Sequence, residues 1–339
     1  MSSSVPVPVI KVEDLTVEFR ISGDWVPVVT GVSFEVHRGH TLAIVGESGS
    51  GKTVTSMAMM GLLPGRQSRV SSGRIEFEGR NLIGLRRREL NQIRGGAVSM
   101  IFQEPMTSLN PAFTVGDQIA EVVRSHCDVG RREATRIAIT KMDAVGIPQA
   151  ARRARAFPHE FSGGMRQRVM IAMAVSCEPR LLIADEPTTA LDVTIQAQIL
   201  ELLRDLQEQQ GMSMVFVTHD LGVVAEVADD VAVMYAGNIV ERAPVDKLFA
   251  NPRHPYTAGL LRSMPAGARD RSATIYSIRG APPKPADFPP GCRFAERCPA
   301  VRTECVESII PPIELGTSRM VRCLRHDQLA TSEGRDLHA

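Results

Sequence analysis

Hydrophobic positions fall into two kinds of segment along this chain. Short aliphatic runs such as TLAIV, LLIAD, MVFVT and VAVMY end at turn residues, and stretches with apolar residues every three to four positions alternate with them. Buried strands that alternate with amphipathic helices predict an α/β domain with a largely parallel sheet. The clearest helix is TIQAQILELLRDLQEQQG, which has one apolar face and is expected to end at Gly211.

Between Gly116 and Cys177 the apolar spacing is helical throughout, with no strand-like run. This predicts a helical subdomain, at about residues 106–176, inserted into a first domain of residues 1–250. After Phe249 prolines become dense, as in NPRHPYTAGLL and GAPPKPADFPPGC. Prolines at this density interrupt regular elements, so residues 251–339 are predicted to form a small appended module.

Composition and charge narrow the class of protein. The chain has 339 residues, 43% of them hydrophobic, and 39 basic residues against 38 acidic ones. This balance provides no general attraction to nucleic acid, so the basic runs RRREL, GRREATR and ARRARA are interpreted as solvated surface. No apolar run approaches the roughly 20 residues that span a bilayer, and the N-terminus has no secretory signal pattern. We expect a protein with no membrane-spanning segment.

The stretch GESGSGKT has the spacing of a phosphate-binding loop, with a buried strand before it and a helix after it. Its glycines let backbone N–H groups surround phosphate oxygens at the positive end of the helix. The lysine is expected to reach the β- and γ-phosphates, and the threonine to ligate Mg²⁺. The predicted residues for the nucleotide phosphates and magnesium are Gly46, Ser48, Gly49, Ser50, Gly51, Lys52 and Thr53.

Two further stretches carry candidate chemistry. LLIADEP is an apolar strand that ends in adjacent carboxylates, of which Asp185 is expected to hold Mg²⁺ and Glu186 to orient or deprotonate a water. FSGGMRQR places Ser162, Gly163 and Gly164 before a helix, which is another anion-binding turn. A chain that binds one nucleotide needs two such turns only if the second contacts the nucleotide of another subunit.

The order of GESGSGKT, IFQEP, FSGGMRQR, LLIADEP, ALD and VTHD, over about residues 10–250, resembles the ATP-binding subunits of ABC transporters. The resemblance implies a P-loop NTPase core with an antiparallel β subdomain and a helical subdomain. It implies that Gln103 senses Mg²⁺ and water beside the membrane partner, and that His219 braces the γ-phosphate. Ser162, Gly163, Gly164 and Asp192 would face the opposite subunit and its ATP.

An aromatic residue upstream of the phosphate loop stacks on adenine in this family. The family's spacing favours Phe19 for this role, and Trp25 is the alternative if the first hairpin is longer.

Four of the six cysteines lie near the C-terminus, spaced Cys292-x5-Cys298-x6-Cys305-x17-Cys323. The paired knuckles of zinc ribbons are absent, and four thiolates at this looser spacing suit a [4Fe–4S] cluster. The tail also resembles the C-terminal extension of peptide-importer ATPases, some of which carry such a cluster. Zn²⁺ held by the same four residues, or four free thiols, are the alternatives.

The form FSGGMRQR resembles that of oligopeptide and dipeptide importers. The resemblance therefore implies an ATPase on the cytoplasmic face of the cell membrane. Its partners would be a second ATPase subunit, two integral membrane permease subunits and an extracytoplasmic solute-binding protein. The transported solute could also be a nickel complex or a sugar. A soluble ABC-type ATPase of nucleic-acid repair or cluster assembly is the alternative, which the short helical insertion disfavours.

Overall fold

The structure is a computed structural model that describes residues 7–104, 108–189, 191–264 and 276–331. Some residues of the predicted segments lie outside these ranges, among them residues 1–6, Pro105, 106–107, Ala190 and 332–339.

The strands and helices follow one another through both predicted domains. The strands are β1 (Ile10–Ile21), β2 (Asp24–Val36), β3 (Thr41–Val45), β4 (Ser68–Phe77), β5 (Arg80–Asn81), β6 (Val98–Ile101), β7 (Leu181–Asp185), β8 (Ser213–Thr218), β9 (Asp230–Tyr235), β10 (Asn238–Pro244), β11 (Ile313–Glu314) and β12 (Met320–Val321). The helices are α1 (Lys52–Met59), α2 (Arg87–Ile93), α3 (Val115–His126), α4 (Arg131–Ala144), α5 (Ala150–Arg153), α6 (Gly163–Ala174), α7 (Val193–Gln210), α8 (Leu221–Val227), α9 (Val245–Ala250), α10 (Pro255–Arg262), α11 (Thr303–Glu307) and α12 (His326–Thr331).

The larger of two sheets has the strand order β11-β12-β10-β9-β3-β8-β7-β6. The five strands β9, β3, β8, β7 and β6 are parallel, as the alternating pattern predicts. Every residue of β3, β7 and β8 is buried, because both faces of this part of the sheet are covered, one by helices and the other by the smaller sheet together with α1. The carboxyl ends of these strands meet at one edge, and ligands bind there in open parallel sheets.

A smaller sheet, in the order β2-β1-β4-β5, is antiparallel. Its buried residues, among them Leu15, Phe34 and Ile75, share one hydrophobic core with β3 and α1. This sheet is the antiparallel subdomain that the resemblance implied.

Helices are the only regular elements in the described chain from residue 108 to residue 180, as the apolar spacing predicts. Helices α3, α4 and α6 bury Ile119, Met142 and Ile171 in a core that continues to Leu182 of β7 and Phe216 of β8. The long helix α7 ends at Gly211, which adopts the left-handed conformation (φ 60°) that favours glycine.

The C-terminal residues are joined to the main sheet. Strand β12 pairs with the outer edge of β10, and β11 pairs with β12. Tyr256 of α10 and Phe294 pack with Tyr235 of β9 in a third core. The tail therefore covers a sheet edge that would otherwise expose unpaired backbone groups.

Candidate nucleotide site

The phosphate-binding loop connects β3 to α1, in the context that its sequence predicts. Gly51 precedes the helix with a φ of 103°, a conformation that L side chains rarely adopt. Gly46 lies so close to the backbone of β9 that a Cβ there would stand 2.0 Å from the carbonyl oxygen of Met234. These two glycines are therefore required by the backbone geometry itself.

The lysine of the loop is buried and turned toward the loop's own backbone. Its Nζ donates to the carbonyl oxygens of Gly46 at 2.7 Å and Glu47 at 3.0 Å. Burial lowers the pKa of Lys52, and the carboxylates of Glu186, Asp185 and Glu47 oppose this effect. Phosphate oxygens at this place would supply the negative charge that the backbone carbonyls supply only in part.

Asp185 stands at the carboxyl end of β7, beside the loop. Its Oδ1 accepts a hydrogen bond from the Thr53 hydroxyl at 3.3 Å. Burial raises the pKa of Asp185 to about 6, against the effects of the Thr53 hydrogen bond and the Lys52 charge. A hydroxyl and a buried carboxylate in contact are hard oxygen ligands of the kind that Mg²⁺ prefers.

Glu186 is the point where several polar side chains meet. Its Oε2 accepts from Gln103 Nε2 at 3.1 Å and from the Thr189 hydroxyl at 2.8 Å, and its Oε1 lies 3.4 Å from His219 Nδ1. The structure thus brings together three predicted residues that are far apart in the sequence. Thr189 is an addition. Its hydroxyl lies three positions after Glu186, a spacing that could have indicated this contact.

Of the residues predicted to face another subunit, Gly164 is half-buried and the other three are exposed. Ser162 and Gly163 are exposed at the start of α6, where Ser162 Oγ caps the helix by accepting from the Met165 N–H at 3.4 Å. In the described part of the chain no hydrogen bond joins residues 162–164 to residues 46–53. Asp192 is likewise exposed and caps α7 by accepting from the Ile195 N–H at 3.0 Å.

The two aromatic candidates for adenine stacking lie on the first hairpin. Phe19 is half-buried against the core of the small sheet, opposite Val26. Trp25 is 37% exposed, and the guanidinium of Arg69 lies 4.4 Å from its ring centroid. The choice of Phe19 stays a prediction.

The four C-terminal cysteines line one cavity of about 20 Å³, together with Arg325 and apolar side chains. Backbone N–H groups of Phe294 and Ala295 bond to Cys292, that of Ala300 to Cys298, and that of Arg325 to Cys323. Burial raises the pKa of Cys292 to about 11 and that of Cys323 to about 12. Across the described residues, no three His, Cys, Asp or Glu side chains are grouped closely enough to hold a metal ion.

Comparison with known proteins agrees with this fold. The family described as "ABC transporter" matches residues 29–189, and the family described as "Oligopeptide/dipeptide transporter, C-terminal region" matches residues 240–305. The oligopeptide transport ATP-binding protein OppD of Bacillus subtilis is 54% identical over 288 residues, which cover 85% of this chain and 80% of that protein. The dipeptide transport ATP-binding protein DppD of the same organism is 49% identical over 323 residues, covering 95% and 96%.

Solved structures share the fold over most of the chain. The bacterial ABC transporter cassette MJ0796, described as dimeric, has a TM-score of 0.62 at 25% identity, covering 70% of this chain and 98% of that one. The cbiO1 protein of Clostridium perfringens, part of an ABC transporter complex, has a TM-score of 0.61 at 26% identity, covering 72% and 91%.

The fold and its phosphate-binding loop define an ATPase of the ABC transporter type. Because relatives of about half-identical sequence match nearly its whole length, the chain belongs to the family of oligopeptide and dipeptide import ATP-binding proteins. It is thus an ABC importer ATPase. No helix within the described ranges has the length and apolar character needed to cross a bilayer.

Proposed function

We propose that this chain hydrolyses ATP to drive the import of oligopeptides, dipeptides or related solutes. The single observation that carries the proposal is the meeting of Gln103, Thr189 and His219 on the carboxylate of Glu186, at the same sheet edge as the phosphate loop. Relatives whose names refer to oligopeptide and dipeptide transport support the choice of solute.

In the proposed reaction, the backbone of residues 46–51 and the Lys52 ammonium hold the β- and γ-phosphates. Thr53 and Asp185 would hold Mg²⁺, as their contact supports. Glu186 would orient and deprotonate a water for in-line attack on the γ-phosphate, while Gln103 and His219 fix the carboxylate from either side. Catalysis in such a site consists mainly of positioning and charge stabilisation.

A second subunit would complete each site. Ser162 and Gly163 are exposed at the positive end of a helix and make no hydrogen bond to this chain's own phosphate loop within the described ranges. They are therefore available to the γ-phosphate of an ATP held by an identical or homologous ATPase subunit. The dimeric form of the structural relative MJ0796 supports this arrangement.

Membrane permease subunits would lie against the helical subdomain. A groove of about 470 Å³ runs between α3 and α4, lined in part by Phe113, Asp117 and Arg131. Phe113 is 55% exposed there, and Gln103, which we expect to face the permease, lies just before this subdomain. This groove supports a peripheral position on the cytoplasmic face of the membrane, in a complex with two permease subunits and an extracytoplasmic binding protein.

Co-expression with candidate permease subunits tests this function. We expect the chain to co-purify with them in detergent and to show ATPase activity stimulated by a peptide-loaded binding protein. An ATPase that fails to bind permeases and is instead stimulated by DNA would support the alternative, a soluble repair ATPase.

We also propose that the four C-terminal cysteines hold a [4Fe–4S] cluster with a structural role. The support for this proposal is that the four thiols line one cavity and that backbone N–H groups are directed at the sulfurs of Cys292, Cys298 and Cys323. Cys292, Cys298, Cys305 and Cys323 would hold the cluster, which would cross-link parts of the module that are distant in the sequence. The cluster is larger than the cavity, so the proposal requires the four side chains to rotate apart.

Metal analysis of the anaerobically purified protein tests the cluster. We expect iron and acid-labile sulfide in stoichiometric amounts, both lost in Cys298→Ser. Cys127→Ser, which changes a thiol outside the cavity, is the matched control and should keep both. Zinc in place of iron would overturn the assignment.

A further inference from the structure

The C-terminal module reaches into the phosphate loop through one ion pair. The Arg297 guanidinium contacts the Glu47 carboxylate with both terminal nitrogens, Nη1 to Oε2 at 2.8 Å and Nη2 to Oε1 at 3.1 Å. Glu47 is the second residue of the phosphate loop, and Arg297 directly precedes Cys298 of the cysteine cavity. The two residues are 250 positions apart, so the sequence offered no sign of this contact.

The guanidinium is held in place on its other side as well. Its Nε donates to the carbonyl oxygen of Arg279 at 2.9 Å, and its terminal nitrogens also donate to the carbonyl oxygen of Ile278 and the Tyr235 hydroxyl, each at 3.3 Å. Only 6% of the Arg297 side chain is exposed, against 27% of Glu47. A planar fork with this many fixed partners positions the carboxylate far more narrowly than a mobile surface lysine could.

The backbone of Glu47 is held by two further groups. Its N–H donates to the Tyr256 hydroxyl at 2.9 Å, and Tyr256 is completely buried in the core shared with the tail. Its carbonyl oxygen accepts from Lys52 Nζ. When Lys52 turns to a phosphate that contact is released, and Arg297 and Tyr256 remain to hold the loop.

We propose that Arg297 is a positioning residue that preorganises the phosphate loop for ATP, so that the C-terminal module forms part of the nucleotide site. Arg297 contacts no residue of the Gln103, Glu186 and His219 group by any hydrogen bond of the described chain. Its loss should therefore weaken nucleotide binding and leave the chemical step intact. The inference rests on the proposed assignment of residues 46–53 to ATP.

Arg297→Gln tests the inference in the full-length protein with its permease partners. We expect KM for Mg-ATP, and the dissociation constant of a fluorescent ATP analogue, to rise on the order of tenfold, because an unordered loop must be ordered on binding. The value of kcat should change less than about twofold, since only uniform binding is lost. Arg302→Gln, an exposed arginine of the same module, is the matched control and should change neither constant.

Glu47→Gln removes the same ion pair from the opposite side and leaves Arg297 in place. If Arg297→Gln folds poorly, ATP binding by Glu47→Gln tests whether the ion pair preorganises the loop. The double variant should bind ATP no more weakly than either single variant, because both changes break one contact. If Arg297→Gln instead acted by disturbing the fold of the tail, its effect on ATP binding would add to that of Glu47→Gln in the double variant.

An unchanged KM in both single variants would overturn the role of Arg297. A fall in kcat as large as the rise in KM would overturn it as well. Lys52→Ala distinguishes a wrong role for Arg297 from a wrong assignment of the nucleotide site. If Lys52→Ala binds ATP as well as the unaltered protein, the assignment of residues 46–53 is wrong, whatever Arg297→Gln does.

Discussion

At the scale of single residues, Glu186 is held in an unusual backbone conformation. Its φ of 47° lies in the left-handed region, which costs a non-glycine residue on the order of 1–3 kcal/mol. The N–H of Glu186 donates to the carbonyl oxygen of Val217 at 2.9 Å, and this bond keeps the residue there. The turn aims the carboxylate away from β7 toward Gln103 and His219, so the strain is consistent with a catalytic position.

Glu186→Gln is expected to bind ATP with nearly unchanged affinity while kcat falls by about a hundredfold to ten-thousandfold, the range typical of a lost general base. The amide keeps the shape of the side chain but cannot take a proton from water. Single-turnover hydrolysis and equilibrium ATP binding measure the two effects separately. Glu201→Gln, on the exposed face of α7, serves as the control. Undiminished turnover in Glu186→Gln would reject the assignment.

At the scale of elements, a buried polar network joins β10 to the tail. Glu241 is completely buried and accepts from the backbone N–H groups of Arg253 and His254, each at 2.9 Å, and from Arg319 Nη2 at 2.6 Å. His254 caps α10 by accepting from the Tyr256 N–H at 3.1 Å. This network holds the segment that carries Tyr256, and it therefore also positions the Tyr256 hydroxyl that accepts from the Glu47 N–H.

This network predicts a dependence of stability on pH. Burial lowers the pKa of His254 to about 3, from an unfolded value near 6.5. The unfolded chain therefore takes up a proton first, and the free energy of unfolding falls by about 1.4 kcal/mol per pH unit between those two values. The stability that comes from keeping His254 neutral is therefore fully present above pH 6.5 and is lost as the pH falls below that value.

Urea unfolding between pH 7.5 and 5 measures this slope. His254→Asn keeps a helix-capping acceptor but does not titrate, so its stability should fall less steeply with acid, whatever its stability at neutral pH. Parallel slopes in the two proteins would show that His254 does not contribute.

At the scale of the whole molecule, the two glycines of FSGGMRQR have different surroundings. A Cβ on Gly164 would stand 2.9 Å from Ile195 Cγ2, so packing between α6 and α7 explains this glycine. A Cβ on Gly163 would meet nothing within 4 Å, and its φ is not in the left-handed range. Nothing in the described part of this chain requires glycine at position 163. Close approach of a second subunit's nucleotide would require it.

Gly163→Ala and Gly164→Ala form a matched pair. We expect Gly164→Ala to destabilise the chain by about 1 kcal/mol through overpacking. Gly163→Ala should leave thermal stability unchanged but weaken ATP-dependent dimerisation of Glu186→Gln protein, measured by size-exclusion chromatography with light scattering. If Gly163→Ala dimerises normally on ATP, the proposed face-to-face arrangement loses its support.

The site was predictable where its chemistry depends on local sequence. A glycine-rich loop between a buried strand and a helix, followed along the chain by a strand that ends in carboxylates, is a local pattern, so Lys52, Thr53 and Asp185 could be proposed from short motifs. The contacts of Glu186 with Thr189 and of Glu47 with Arg297 were not predicted. The first depends on the direction of two side chains only three positions apart, and the second on a pairing across 250 residues, which no local pattern records.

The amino-acid sequence by itself determined the alternation of strands and helices, the helical subdomain and the phosphate-binding chemistry, because apolar periodicity and glycine geometry act over a few residues. Only the tertiary structure decided where the tail lies. Strands β11 and β12 extend the main sheet, and Tyr256 and Arg297 hold the phosphate loop. Prolines interrupt local order and so predict a separate module, but burial of aromatic rings and pairing of a free sheet edge are long-range effects that draw it onto the core.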